Sequence, residues 1–414
     1  AELLRRLASL YEDILANIEA AEQTWRRLLE VEPSDTEALQ RLSRTYAASG
    51  STAQLIEMLE RRIDASHDAD ERRSLRMQLA DIQRDSANNR EAEIDVLRAL
   101  LVEAPSDEEA MATLTRALLA EGRHGEAADV LQERANVAQA PERKASLLLE
   151  AARLHAGPLA DLHGAIERYD QVLQALPGQD GAVADLVGLS KNEEVSEQAA
   201  ALVRPHLEQY GRWPELATVV AARAEFSQDD EERVRSLREL ASLRHEKLGD
   251  AAGALEATMR LLDHSPVDEL RDPLNAAMRL AGELDRLDAL VDELGKRAAD
   301  DGRDPEARLA IAMAAAHAAS DFLGDPDKAL RVLVPLLEGE LANLDACRRI
   351  EELALRKDDV ALVERALEAG SKLALGNTDP ADQVAMLVRL GEARIKLNRL
   401  PGAVEAFREV LDLE

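Results

Sequence analysis

The chain closes on Pro401–Glu414, "PGAVEAFREVLDLE". Counting from Ala403, a large residue follows at Phe407 and an apolar pair at Val410-Leu411. Positions separated by four and by seven or eight residues lie on one face of an α-helix, so this stretch is an amphipathic helix. The phrase recurs upstream. "GAIERYDQVLQ" repeats it as Ala165, Tyr169 and Val172-Leu173, and "GALEATMRLL" as Ala254, Thr258 and Leu261-Leu262. "KALRVLVPLL" gives Ala329, Leu333 and Leu336-Leu337. "EAEIDVLRALL" gives Ala92, Val96 and Ala99-Leu100, and "EAAEQTWRRLL" gives Ala21, Trp25 and Leu28-Leu29. Successive alanines stand 71, 73, 89, 75 and 74 residues apart, an internal repeat with one long interval.

Each interval divides again. "EALQRLSRTYAASGSTAQLIEMLERRI" has its counterpart in "EAMATLTRALLAEGRHGEAADVLQERA", with Leu59 and Leu131 in the same place. The unit is a pair of helical hairpins of about 36 residues each. Turn signals separate them: "EPSD" at Glu32–Asp35, "SG" at Ser49-Gly50, "APSD" at Ala104–Asp107, "LGD" at Leu248–Asp250 and "LGDPD" at Leu323–Asp327. Asp and Ser supply N-caps and Gly ends the preceding helix. No run alternates apolar and polar residues with β-branched enrichment, so no strand is expected. The long interval, 89 residues from Ala165 to Ala254, predicts one extra short helix over Ala182–Ser190 and a bend at Pro205. The expectation is an all-α solenoid of about 23 helices. Residues 1–179 hold regular hairpins, 180–213 an irregular insertion, and 214–414 further hairpins.

These hairpins resemble the tetratricopeptide repeat. "LASLYEDILANIEAAEQTWRRLLEVEP" places Leu7, Ala8, Tyr11, Ala21, Trp25 and Pro33 on the family's pattern, and "GAIERYDQVLQALP" does so with Pro177. "LASLRHEKLGDAAGALEATMRLLDHSP" keeps the spacing but has Arg244 where Tyr11 stood. The alternate hairpins lack the exit Pro. The alternation is also similar to long tetratricopeptide-type proteins of predatory and gliding bacteria. The resemblance implies a right-handed superhelix whose inner wall, lined by the first helix of each hairpin, binds peptides or a partner's helix.

Composition narrows the function classes. The chain has 414 residues, is 46% hydrophobic and 2% aromatic, and carries a formal charge of −30. Many small helix contacts fit this better than one thick core. The charge argues against nucleic acid, whose phosphates need clustered Lys and Arg. A single cysteine, Cys347, excludes an internal disulfide framework and reads as a small buried hydrophobe. No apolar run approaches the ~20 residues of a membrane span. The chain starts "AELLRRLASLYED" and stops inside the repeat pattern, as a fragment would, and a cytoplasmic location is favoured over a periplasmic one.

No Gly-rich phosphate loop, HExxH, CxxC or nucleophile elbow occurs, and no cofactor or metal is expected. His155 and His163 flank "AGPLADL" as helix-end and loop residues. The acidic runs at Asp107–Glu109 and Asp229–Glu232 read as helix N-termini. Tyr11, Trp25, Tyr46, Tyr169 and Phe407 fall on packing positions, whereas Trp213 precedes Pro214 at a helix start.

The expected function is a non-catalytic scaffold for a protein partner. An accessory region of a larger enzyme and a structural arm of an envelope or motility assembly are the alternatives. Transferred from the family, the inner wall would hold Arg5, Ser9, Glu12 and Asp13, then Glu37, Gln40 and Arg44. Arg73, Arg76 and Arg84 follow, and further on Arg238, Ser242, His245 and Glu246. The Lys/Asn combination with which the family clamps a terminal carboxylate is missing. Arg44, Arg73, Arg76, Arg84, Arg238 and His245 are the candidate partner-binding residues, Arg being suited to carboxylates by its two-pronged donors. The competing reading pairs these arginines with Glu and Asp of neighbouring helices.

Overall fold

The computed structural model describes residues 1–338, 341–374 and 380–413. Among the described residues there are helices and turns and no strand. Two compact units divide the chain, Ala1–Tyr210 and Gly211–Glu414. The first contains α1 (Glu2–Ser9), α2 (Ile18–Val31), α3 (Thr36–Ser49), α4 (Thr52–Ala65), α5 (Ala69–Asp85), α6 (Arg90–Glu103), α7 (Glu108–Ala120), α8 (His124–Val137), α9 (Pro141–Ala156), α10 (Leu162–Ala175), α11 (Asp180–Leu189) and α12 (Ser196–Gln209). The second contains α13 (Trp213–Phe226), α14 (Asp230–Ser242), α15 (Ala251–His264), α16 (Arg271–Glu283), α17 (Leu287–Ala298), α18 (Pro305–His317), α19 (Pro326–Leu333), α20 (Leu344–Arg356), α21 (Val360–Ala374), α22 (Pro380–Lys396) and α23 (Leu400–Leu413). Within each unit, helices adjacent in sequence pack against one another, giving arrays of antiparallel helical hairpins.

The repeat is written into the backbone. One residue in the left-handed region marks the turn into the second helix of each leading hairpin: Ala16, Asn88, Ala160, Gly249, Gly324 and Asn398. The first helix closes five residues back, as in Leu15 N–H to Leu10 O at 3.1 Å, Ala87 to Ile82 at 3.0 Å and Leu159 to Leu154 at 3.1 Å. The next helix is then capped by Asn17, Asn89, Asp161, Asp250 or Asp325, whose side chain accepts an N–H three residues on. The alternate turns carry Gly50, Gly122, Gly211, Asp285 and Asp358, also left-handed. At these turns the chain reverses through one residue with φ above zero, a conformation Gly, Asn and Asp adopt most readily.

The apolar stripes face inward. Ala21, Trp25, Leu28 and Leu29 are buried, as are Ala165, Tyr169, Val172 and Leu173. Thr258 is also buried, its hydroxyl donating to Ala254 O at 2.8 Å. Gly391 of α22 lies where a Cβ would come within 2.6 Å of the Phe407 ring, so the small residue of one helix makes room for the large one of the next. Leu411 differs from its counterparts and is exposed, as no described helix packs on that side of α23.

One register needed correction. The stripe expected at Ala92, Val96 and Ala99-Leu100 lies one residue further along α6 for its first two members. Glu93 and Leu97 are buried, whereas Ala92 is only half-buried and Ala99 is exposed. Counted from the caps, Glu93 occupies the place of Ala21 and Ala165. The eye takes the alanine as the small packing residue, but the turn geometry seats a glutamate there.

In the long interval, α11 is short, and α12 runs through Pro205 as a single helix.

Candidate functional site

The first helices of neighbouring hairpins are held side by side by ion pairs, which defines a shared face. In the first unit, Arg5 of α1 reaches Asp35 at 2.5 Å and Glu37 at 3.7 Å, at the start of α3. Arg41 of α3 reaches back to Asp13 at 3.1 Å and Glu12 at 3.3 Å. Arg73 of α5 binds Asp107 and, at 2.7 Å, Glu109 at the start of α7. Arg143 of α9 lies 3.3 Å from Glu108 of α7. In the second unit, Arg348 of α20 reaches Asp382 of α22 at 3.2 Å, and Arg389 returns to Glu351 at 2.8 Å.

Asp35 and Asp107 hold equivalent places and each serves two partners. Asp35 caps α3 by accepting the Ala38 N–H at 2.8 Å and Asp107 caps α7 by accepting that of Ala110 at 3.0 Å. The Arg73 hydrogen bond, aided by the cap, holds Asp107 below the usual carboxylate range although burial pulls the other way. At Asp35 burial is the largest influence and raises the pKa, but Arg5 and the cap N–H outweigh it and the net direction is down.

Of the six candidate residues, five are occupied within the chain. Arg73 is engaged as above. Arg76 binds Glu103 at 2.6 Å, and this bond together with that of Arg72 drops the Glu103 pKa to about 2. Arg84 pairs with Asp81 and Asp85, both at 2.8 Å. Arg238 meets Glu269 at 2.7 Å, and His245 meets Glu283 at 3.1 Å. Arg44 is exposed on α3 with no hydrogen-bond or ion-pair partner among the described residues. Arg84 finds its carboxylates on its own helix, whereas for Arg73, Arg76 and Arg238 sequence alone does not show which carboxylates of a later helix the fold brings to them.

Several charged residues missed by sequence reasoning are buried. Glu93 is 1% exposed between Arg84 at 3.7 Å and Arg90 at 3.3 Å, and burial pushes its pKa up despite both arginines. Lys328 of α19 is buried and binds Asp288 and Asp292 of α17 at 2.6 and 2.7 Å, beside an open groove of about 1030 Å³ in the second unit. The groove's buried cation is therefore already neutralised. The only sequence signal for such residues is a charge on the apolar stripe.

The remaining candidates fall into structural roles. Cys347 is buried, which pushes its thiol pKa up to about 11. His155 lies 2.8 Å from the capping Asp161, and His163 lies 3.0 Å from Gln198. Trp213 is half-buried at the start of α13 with the Lys247 ammonium 5.2 Å from its ring centre. Among the described residues no cluster of His, Cys, Asp and Glu has the form of a metal site, and no helix is long and apolar enough to cross a membrane.

No family model matches the chain, and no curated protein matches it. Solved structures do. The chain is similar to one in the structure of Naa15/Naa10 bound to HypK-THB, at 14% identity over 98% of this chain and 69% of that one, with a TM-score of 0.34. It is also similar to one in the APC/C hetero-tetramer Cut9-Hcn1, at 13% identity over 92% of this chain and 87% of that one, with a TM-score of 0.23. At these identities and scores neither likeness says what this chain binds.

Proposed function

We propose that the hairpin array is a non-catalytic scaffold that holds a protein partner along the shared face of its first helices. The observation that carries this reading is Arg44, an exposed guanidinium without a partner among the described residues, on a face where the neighbouring arginines are matched to carboxylates. Exposed Arg–carboxylate pairs are worth about 0–1 kcal/mol each. A partner's carboxylates can therefore exchange with internal ones at little cost, while Arg44 is open from the start. Arg73, Arg76 and Arg84 join the contact in the first unit by such exchange, and Arg238 and His245 are the candidates on the first helices of the second unit taken by itself. In this reading the segment 180–213 is an irregular insertion with an extra short helix. The charge of −30 disfavours a nucleic-acid partner.

The test is site-specific photo-crosslinking of the intact protein in extract of its source cells, with the reactive side chain at position 40, beside Arg44, or at exposed Val102 of a second helix. The reading expects one recurrent protein at position 40, absent at 102 and lost on Arg44→Glu. Equal capture at both positions, or capture indifferent to Arg44→Glu, overturns it. Arg73→Ala is a poor probe, because it also strips a partner from the cap of α7.

A further inference from the structure

The repeat allows the chain to be compared with itself. Arg62 in α4, Arg134 in α8 and Arg223 in α13 follow the left-handed residues Gly50, Gly122 and Gly211 at the same distance. Around Arg62 and Arg223 the chain supplies an acidic shell. Arg62 lies 3.5 Å from Glu71, and Arg223 Nε lies 2.6 Å from Glu232, both in the first turn of the next helix. That helix is capped by aspartate in both cases. Asp68 accepts the Asp70 N–H at 3.1 Å, and Asp229 accepts the Glu231 N–H at 3.0 Å. A serine completes each turn: Ser66 donates to Glu71 at 2.7 Å and Ser227 to Asp229 O at 2.9 Å.

At Arg134 every one of these groups is gone. Counted from the arginine, the serine is Ala138, the capping aspartate is Ala140 and the glutamate is Arg143. The α9 N-terminus accordingly has no side-chain cap. Arg143 turns away to Glu108. Arg134 itself is 7% exposed and has no hydrogen-bond or ion-pair partner among the described residues. Its Nε, the atom that in Arg223 meets Glu232, is buried without an acceptor. Burial and then the nearby Arg143 depress its pKa, and the more distant Glu150 and Glu108 only partly oppose them. A buried unpaired guanidinium is costly, and the free N–H groups of a helix start carry positive potential.

We propose that the α8–α9 turn is a carboxylate-binding site, in which Arg134, Arg143 and the first N–H groups of α9 take an aspartate or glutamate side chain from a partner protein. The identity of the source rests on the scaffold reading above; the ligand chemistry does not. The chain shows what fits, since two sister turns fill the same place with their own carboxylates. Arg143 would have to exchange Glu108 for the incoming group, a surface swap of small cost. Glu142 lies in the first turn of α9, and Glu150 and Glu108 already act on Arg134 from further off, so binding is specific to geometry rather than driven by net charge.

The experiment uses the full chain and four probes. They are a capped peptide Ala-Glu-Asp-Glu-Ala, its Gln/Asn counterpart, that counterpart with a free C-terminus, and glutarate. Binding is read by calorimetry and by melting at constant ionic strength. The proposal expects the acidic peptide to bind wild type at least tenfold more tightly than the Gln/Asn peptide. The double variant Ala140→Asp/Arg143→Glu restores the internal shell. It should melt about 2–4 °C higher and lose the peptide response. Arg134→Met, which keeps the apolar stem, should also lose it. Equal binding of acidic and neutral peptides, or undiminished binding by the restored variant, overturns the site. A response confined to the free C-terminus overturns the side-chain source. Glutarate binding that depends on Arg134, with no capture at position 40, would uphold the site and remove the scaffold reading.

Discussion

Leu97→Ala should soften two hairpins and leave distant ones untouched. Leu97 is fully buried in a cluster with Ala80, Ile94, Leu100, Ala110 and Leu114, contributed by α5, α6 and α7. The substitution removes three carbons, worth about 0.8 kcal/mol each in transfer, or about 2.4 kcal/mol. The cavity left in a close-packed site brings the loss to about 3–4 kcal/mol, within the range for buried leucines. In an array whose members touch only their neighbours, such a loss stays local. Backbone amides of α5–α8 that exchange by local opening should therefore speed up roughly 100- to 700-fold, at about 1.4 kcal/mol per factor of ten. Amides in α16–α23 should keep their wild-type rates. Hydrogen exchange followed by mass spectrometry reads both regions in one experiment, with Val102→Ala, an exposed position on the same helix, as the control expected within 0.5 kcal/mol of wild type by the usual surface rule. Uniform acceleration along the chain would refute nearest-neighbour stacking. No acceleration in α5–α8 would refute the placement of Leu97.

Two further outcomes follow from single residues. Glu93→Ala restores the small residue found at the equivalent places and removes a buried carboxylate whose folded pKa is raised by burial. The raised pKa means that wild type is penalised at neutral pH. The penalty vanishes below the unfolded value of about 4.3, where both states are protonated. The variant should thus be as stable as wild type or up to ~2 kcal/mol more stable at pH 7, with the gap closing as pH falls through the raised pKa, as read by denaturant melts across pH. A large loss at pH 7 would show that the pairs with Arg84 and Arg90 dominate. Gly391→Ala should destabilise by about 1–2 kcal/mol, because its Cβ would meet the Phe407 ring, whereas Gly188→Ala, facing open space in α11, should gain about 0.5–1 kcal/mol; equal signs in thermal melts would contradict this packing.

The sequence by itself determined the hairpins. Helix periodicity, caps such as Asp35, Asp107 and Asp250, and glycines at left-handed turns act within a few residues, so they are legible in one dimension. A short helix, α11, falls in the long interval between Ala165 and Ala254, whose surplus length a repeat count exposes. Tertiary structure decided what the charges do. Arg73 meets Asp107, whereas Arg44 has no hydrogen-bond or ion-pair partner among the described residues, although both lie on first helices. Glu93 sits in an alanine's place because the turn sets the register, and Arg134 is stranded because the residue nine positions on is Arg143. Pairing and burial depend on which helix the stack sets alongside. That is a property of the packed array, where a one-residue shift or a single lost carboxylate turns a satisfied ion into an unsatisfied one.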